Sequence, residues 1–266
     1  MIIDFNGDLI DAALARVDPF DRAFTLGDGI FESLRVQGGQ PKYLLEHLAR
    51  LREASRVTKI ALPFTDAELS DRAARLVHAT GQQDGALRLT VSRGAAARGV
   101  AAPADCTPTV TLVLHPLPPT RNDPVAVIIA TVTRRNEFSP LSRVKATPYM
   151  DSILALDEAK SKSAQDAILL NTQGCIACAA YANVFAVIDG RAVTPPLADG
   201  PLPGVTRGQL LAALDGAERS LVPEVLVGAS EIFLCNSFSV RAVSALDGRA
   251  IPAPGPVTGK ALAIAG

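Results

Sequence analysis

The chain of 266 residues lacks any run of about eighteen apolar residues, so a membrane-spanning helix is not expected. It lacks an excess of either charge: 26 basic residues against 27 acidic ones, scattered singly. Without a basic stripe or a charge block, neither nucleic-acid binding nor a disordered tail is expected. The start, Met1-Ile2-Ile3-Asp4-Phe5-Asn6-Gly7, is not a charged segment followed by an apolar one, which makes a cytoplasmic protein the expectation. Cysteine is scarce too, with only Cys106, Cys175, Cys178 and Cys235, too few and too unevenly spaced for a disulfide framework. Cys175 and Cys178 spell C-x-x-C, but zinc needs a second ligand pair, and His47, His78 and His115 stand apart from one another. Neither a metal site nor a redox dithiol is expected.

What is present is 48% hydrophobic residues, enough for a globular chain with a substantial core. Asn6-Gly7 between Ile2–Phe5 and Leu9-Ile10 reads as a hairpin, because a type I′ turn needs positive φ at both central residues. Ile30 to Val36 reads as a strand. Leu44, Leu45, Leu48, Leu51 and Ala54 recur at helical spacing within Tyr43 to Val57. Thr65 with Glu68 forms a capping-box signature opening a second helix over Asp66 to Ala79. Ala86 to Val91 and Thr109 to Leu114 read as paired strands.

Four prolines in the nine residues Pro116 to Pro124 exclude helix and central strand, and place a linker at 116–124. A small α+β domain is expected at 1–115 and a larger one at 125–266. In the second, strands are expected at Val125–Val132, Ala167–Leu170, Val184–Ile188, Ile232–Leu234 and Val240–Leu246. Helices are expected near 149–163 and 206–214, with hairpin turns at Asp189-Gly190 and Asp247-Gly248. Strands and helices do not alternate as regular βαβ winding does, so the fold class is α+β with two domains.

Chemistry enters with Lys145, in the run Ser142-Arg143-Val144-Lys145-Ala146-Thr147-Pro148-Tyr149. A crowded or buried amine sheds its proton more readily and can attack an aldehyde, so Lys145 is a candidate Schiff-base lysine. Seven segments frame it in order. They are Asp21-Arg22-Ala23-Phe24-Thr25-Leu26-Gly27-Asp28-Gly29-Ile30-Phe31-Glu32; Glu46-His47-Leu48-Ala49-Arg50-Leu51; Ser92-Arg93-Gly94; Lys145 with Tyr149; Tyr181-Ala182-Asn183-Val184-Phe185; Leu202-Pro203-Gly204-Val205-Thr206-Arg207; and Phe233-Leu234-Cys235-Asn236-Ser237. Over nearly the whole chain this order resembles the class IV aminotransferases, enzymes of fold type IV that use pyridoxal 5′-phosphate (PLP).

The resemblance implies an N-terminal α/β sandwich, a C-terminal pseudo-barrel-like domain, a homodimer, and a small amino acid or 2-oxo acid as substrate. It implies that Lys145 carries PLP, that Tyr149 hydrogen-bonds its phenolic oxygen, and that Arg50, Val205, Thr206 and Ser237 reach its phosphate, with Asn183 in the cofactor site. A helix opening at Gly204 suits that phosphate, since its N–H groups and dipole attract anions. Arg93-Gly94-Ala95-Ala96-Ala97-Arg98-Gly99 resembles the loop of D-amino-acid transaminases and aminodeoxychorismate lyases in which the second arginine grips a carboxylate. Arg98 matches it; Val100 stands where the D-amino-acid enzymes have a histidine. Glu32 and Arg35, on the strand after Gly27-Asp28-Gly29, are further candidates for substrate contact. That glycine pair lacks the third glycine of a dinucleotide fingerprint.

One position departs. Five residues before the asparagine of the Asn-Val-Phe motif the family has a glutamate that keeps the PLP ring nitrogen protonated; here it is Cys178, and no Asp or Glu occurs from Asn171 to Asn183. A thiol, with a pKa of about 8.5 that burial raises, is a poor counter-ion. Amino transfer through Lys145 remains the first expectation. Two others stand beside it: an aminodeoxychorismate lyase forming 4-aminobenzoate and pyruvate, and a catalytically impaired homologue.

Overall fold

The computed structural model describes residues 1–117 and 123–265, so positions 118–122 of the expected linker lie outside the described residues. The chain divides into two compact units, Met1–Pro119 with Val144–Pro148, and Thr120–Arg143 with Tyr149–Gly266. Chain order alone does not produce this division, because the five residues around Lys145 leave the second stretch of sequence and join the first unit.

In the first unit the chain forms β1 (Ile2–Phe5), β2 (Asp8–Asp11), α1 (Arg22–Leu26), β3 (Gly29–Gln37), β4 (Gln40–Pro41), α2 (Leu44–Thr58), α3 (Asp66–Thr80), β5 (Gly85–Ser92) and β6 (Thr109–His115). The strands make one antiparallel sheet in the order β2-β1-β6-β5-β3-β4. Asn6 and Gly7 both have positive φ, as the turn required. The α3 capping box is present, with the Thr65 hydroxyl accepting from the Glu68 N–H and the Glu68 carboxylate accepting from the Thr65 N–H.

Alternation along the strands sorts the sheet into two faces. Leu34, Val36, Leu87, Leu89, Val91, Val110, Leu112 and Leu114 point toward α2 and α3 and pack with Leu48, Leu51, Leu69 and Leu76. Truncating one of these leucines to alanine costs about 2–5 kcal/mol. The opposite face carries Ser33, Arg35, Arg88, Thr90 and Thr111, all half-buried. Val144–Pro148 lies along the start of β3: the Phe31 N–H donates to the Lys145 carbonyl (2.9 Å) and the Thr147 N–H to the Gly29 carbonyl (2.9 Å).

The second unit contains β7 (Val125–Ile129), α4 (Met150–Ser161), β8 (Asp166–Leu170), β9 (Ile176–Ala179), β10 (Asn183–Ile188), β11 (Arg191–Thr194), α5 (Val205–Ala213), β12 (Ala217–Glu218), α6 (Pro223–Val227), β13 (Glu231–Cys235), β14 (Val240–Leu246), β15 (Arg249–Ala250) and α7 (Pro256–Ala265). Its nine-stranded sheet runs β12-β11-β10-β13-β14-β7-β8-β9, with β15 beside β14. β14, β7 and β8 are mutually parallel, and β9 comes back against β10, where the Ala179 N–H donates to the Ala182 carbonyl (2.8 Å). The sheet therefore curls around a core of Val127, Ile168, Ile176, Val184, Ile232 and Val243. The α+β class with two units holds. Among the described residues, no helix is long and apolar enough to cross a membrane, and no group of His, Cys, Asp or Glu is placed to hold a metal ion.

Candidate functional site

In the first unit the β3 alternation separates two residues grouped together on sequence. Glu32 faces α2, where it is 1% exposed, and both its oxygens are engaged. Arg50 grips it as a fork, Nε to Oε1 at 2.8 Å and Nη2 to Oε2 at 2.7 Å, and His47 Nδ1 lies 2.7 Å from Oε2. Burial pushes the Glu32 carboxyl up, but the hydrogen bonds from Arg50 and His47 outweigh it and hold the group below the usual carboxylate range. Glu32 is thus the support that fixes the Arg50 guanidinium.

Arg35, three positions on, faces the other way, and its buried Nε has no hydrogen-bond partner. Phe31 shares that face with two cations. Lys145 Nζ lies 4.4 Å from the centre of the Phe31 ring and Arg88 Cζ 3.7 Å from it. Arg88 also donates from Nε to the Thr90 hydroxyl (3.1 Å). Sequence reading missed Arg88 and Phe31. The period-2 pattern of β5 puts Arg88 on the half-buried face, but the pairing of Ser33 with Arg88 that sets it beside β3 is a long-range register. Arg98 is exposed on the loop following β5.

In the second unit three sequence-separated segments meet at one end of the curled sheet. Asn183 opens β10 and pairs with Cys235, the last residue of β13. Its Nδ2 donates to the Leu202 carbonyl at 2.9 Å, fixing the turn that leads into α5. Gly204 is the N-cap of α5 and brings no side-chain cap, so it satisfies none of the first N–H groups of the helix with a side chain. After Cys235, Asn236 Oδ1 accepts from the N–H groups of Phe238 (2.9 Å) and Ser239 (3.1 Å), a turn that carries Ser237 at its tip. A helix start without a side-chain cap, followed by a threonine in its first turn, has donor chemistry suited to an anion.

Tyr149 is half-buried at the N-cap of α4. Cys178 lies in β9 opposite Leu169 and packs with Ile128, Ala155 and Ala159. Burial pushes its thiol up, with Arg135 acting against and Asp166 with the shift, so Cys178 is a neutral thiol at physiological pH. The nearby carboxylate of Asp166 is already committed, to Arg241 Nη2 at 2.5 Å and to the N–H groups of Ala167 (2.9 Å) and Ala180 (3.3 Å).

Comparison with known proteins adds to this geometry. Residues 29–246 match the model of a family described as amino-transferase class IV. A putative branched-chain-amino-acid aminotransferase of Methanocaldococcus jannaschii is 30% identical over 94% of this chain and 90% of its own length. A D-alanine aminotransferase of Bacillus licheniformis is 30% identical over 97% and 93%. Among solved structures, a branched-chain aminotransferase from Thermoproteus uzoniensis, crystallised with norvaline, superposes with a TM-score of 0.93 at 26% identity, covering 99% of this chain and 92% of that one.

Proposed function

This chain belongs to the class IV aminotransferase family, and we propose that it is a PLP-dependent enzyme moving an amino group between an amino acid and a 2-oxo acid. The observation that carries the reading is the α5 start at Gly204, without a side-chain cap and locked by the Asn183–Leu202 bond, with Ser237 on the turn after β13. PLP would fit that donor set through its phosphate. When bound, PLP supplies an aldehyde that condenses with amines and a ring that accepts electrons.

Lys145 is the amine that would hold PLP and, when released from it, the base that would move the proton at the substrate Cα. Phe31, its ring centre 4.4 Å from Nζ, gives the amine an aromatic face to rest on. Tyr149 would donate its hydroxyl to the phenolic oxygen of PLP. Arg35, Arg88 and Arg98 bind substrate carboxylate, for which the guanidinium fork is suited. Exposed Phe20, Phe24 and Leu26 in the first unit, and Phe138, Met150 and Ile153 in the second, supply apolar surface for a homodimer.

Cys178 favours one second reading. A neutral thiol at the position of the family's glutamate would not hold a proton on the ring nitrogen, and lyase chemistry, in which a leaving group departs before charge accumulates, tolerates that better than amino transfer. An assay offering paired amino acids and 2-oxo acids, run beside one for 4-aminobenzoate from aminodeoxychorismate, separates the two. A new amino acid formed only with PLP present supports amino transfer; 4-aminobenzoate formed only with PLP present, and no new amino acid, supports the lyase.

A further inference from the structure

The loop that carries Arg98 is fastened by an ion cluster with no part in the chemistry above. Arg22 is charged yet only 4% exposed. Its Nε donates to Asp28 Oδ2 at 2.7 Å, its Nη1 to the Gly99 carbonyl at 2.9 Å and its Nη2 to the Val100 carbonyl at 2.9 Å. Arg93 reaches the same carboxylate, Nε to Oδ2 at 2.7 Å and Nη2 to Oδ1 at 3.0 Å. It also donates to the carbonyls of Thr58 (2.9 Å) and Lys59 (2.7 Å) at the end of α2. Asp28 thus joins two guanidiniums, one holding the far end of the loop and one its near end. Backbone bonds complete the fastening: the Arg22 N–H donates to the Gly94 carbonyl (2.9 Å) and the Ala96 N–H to the Phe20 carbonyl (3.3 Å).

Desolvating Arg22 and part of Asp28 carries a cost that an ordinary solvated loop does not require. Here that cost fixes the chain at Gly94, Ala96, Gly99 and Val100, on both sides of the exposed Arg98. Burial pushes the Asp28 carboxyl up, but the hydrogen bonds from Arg93 and Arg22 outweigh it, so the cluster keeps its charge at neutral pH. A guanidinium presented from a fixed backbone binds a carboxylate with less ordering cost than one on a mobile loop.

We propose that Arg22 and Asp28 are positioning residues for substrate carboxylate, acting through Arg98 by holding the 93–101 loop. The proposal rests on the reading of Arg98 as a carboxylate ligand. The place of Asp28 between Gly27 and Gly29 is then explained by loop control rather than by contact with substrate.

The test is a double-mutant cycle on the PLP-loaded full chain, with Arg22→Gln, Arg98→Ala and the pair together, accompanied by hydrogen exchange of residues 93–101. Arg22→Gln is expected to raise KM for the 2-oxo acid about tenfold with kcat within about twofold, and to speed exchange in the loop. In the Arg98→Ala background it is expected to leave KM unchanged. An equal KM effect with and without Arg98, or unchanged exchange, overturns the proposal. If Arg22→Gln does not fold, Asp28→Asn, which keeps the volume, goes through the same cycle with the same criteria. Should Arg98→Ala alone leave KM unaltered, the carboxylate reading of Arg98 fails and the proposal with it, while accelerated exchange in Arg22→Gln still identifies the fastening.

Discussion

Gly204 and Asn183 are packed so closely that no side chain fits between them: a Cβ on Gly204 would stand 2.1 Å from Asn183 Oδ1. Asn183 occupies that space in order to hold the Leu202 carbonyl, and so aims the start of α5.

Gly204→Ala is therefore expected to push Asn183 aside, break its 2.9 Å bond and displace the first turn of the helix. The strain costs roughly 1–3 kcal/mol of stability, and PLP affinity is expected to fall by at least about tenfold. Titration of the visible absorption band with PLP measures the affinity and a thermal melt the stability. Wild-type affinity in this variant would refute the placement of the phosphate.

Glu32→Gln removes the carboxylate from between Arg50 and His47 and leaves two buried nitrogen groups without their anion. At neutral pH the expected loss is about 3–5 kcal/mol. Because the folded Glu32 carboxyl is held low, its contribution is complete above the unfolded value of about 4.3 and disappears as pH falls through the folded value. Urea unfolding of both proteins from pH 7 down to pH 3 should show the gap closing below about pH 4.3. A constant gap contradicts the ion-pair account.

Cys178→Glu places an acid where this chain has a half-buried thiol. Amino-transfer turnover is expected to rise at least about tenfold, equivalent to about 1.4 kcal/mol off the barrier. Steady-state assays with one amino donor suffice. No gain, together with loss of 4-aminobenzoate formation, would favour the lyase reading.

Arg88→Gln removes the cation that shares the Phe31 ring with Lys145. KM for the carboxylate substrate is expected to rise about tenfold, with the melting temperature little changed because the residue is half-buried and outside the apolar core of the unit. An unchanged KM removes Arg88 from the substrate contacts.

Much of this architecture was legible locally. The hairpin turns at Asn6-Gly7, Asp189-Gly190 and Asp247-Gly248 all carry the positive φ that their residue types allow. Thr65 and Glu68 form the expected capping box, and β14 has the expected bounds, because turn chemistry and strand alternation act over a few residues. The short α1, with its αL cap at Gly27, and α7 near the end were not read; one is barely more than a turn and the other has a weak apolar stripe.

For the candidate site, the ordered motifs identified the segments but not their facing. Strand parity could have separated Glu32 from Arg35, three positions apart. The joining of Val144–Pro148 to β3, the Phe31 contacts and the Arg22 clamp depend on chain separated by tens of residues, where periodicity carries no signal.

The central claim is that Lys145 holds PLP, and the most direct measurement is the visible absorption of the purified chain incubated with PLP and freed of excess. The wild type is expected to show a band that borohydride reduction fixes covalently to the peptide containing Lys145, and Lys145→Ala to show none. A wild type without the band, or a Lys145→Ala protein that keeps it, would contradict the account.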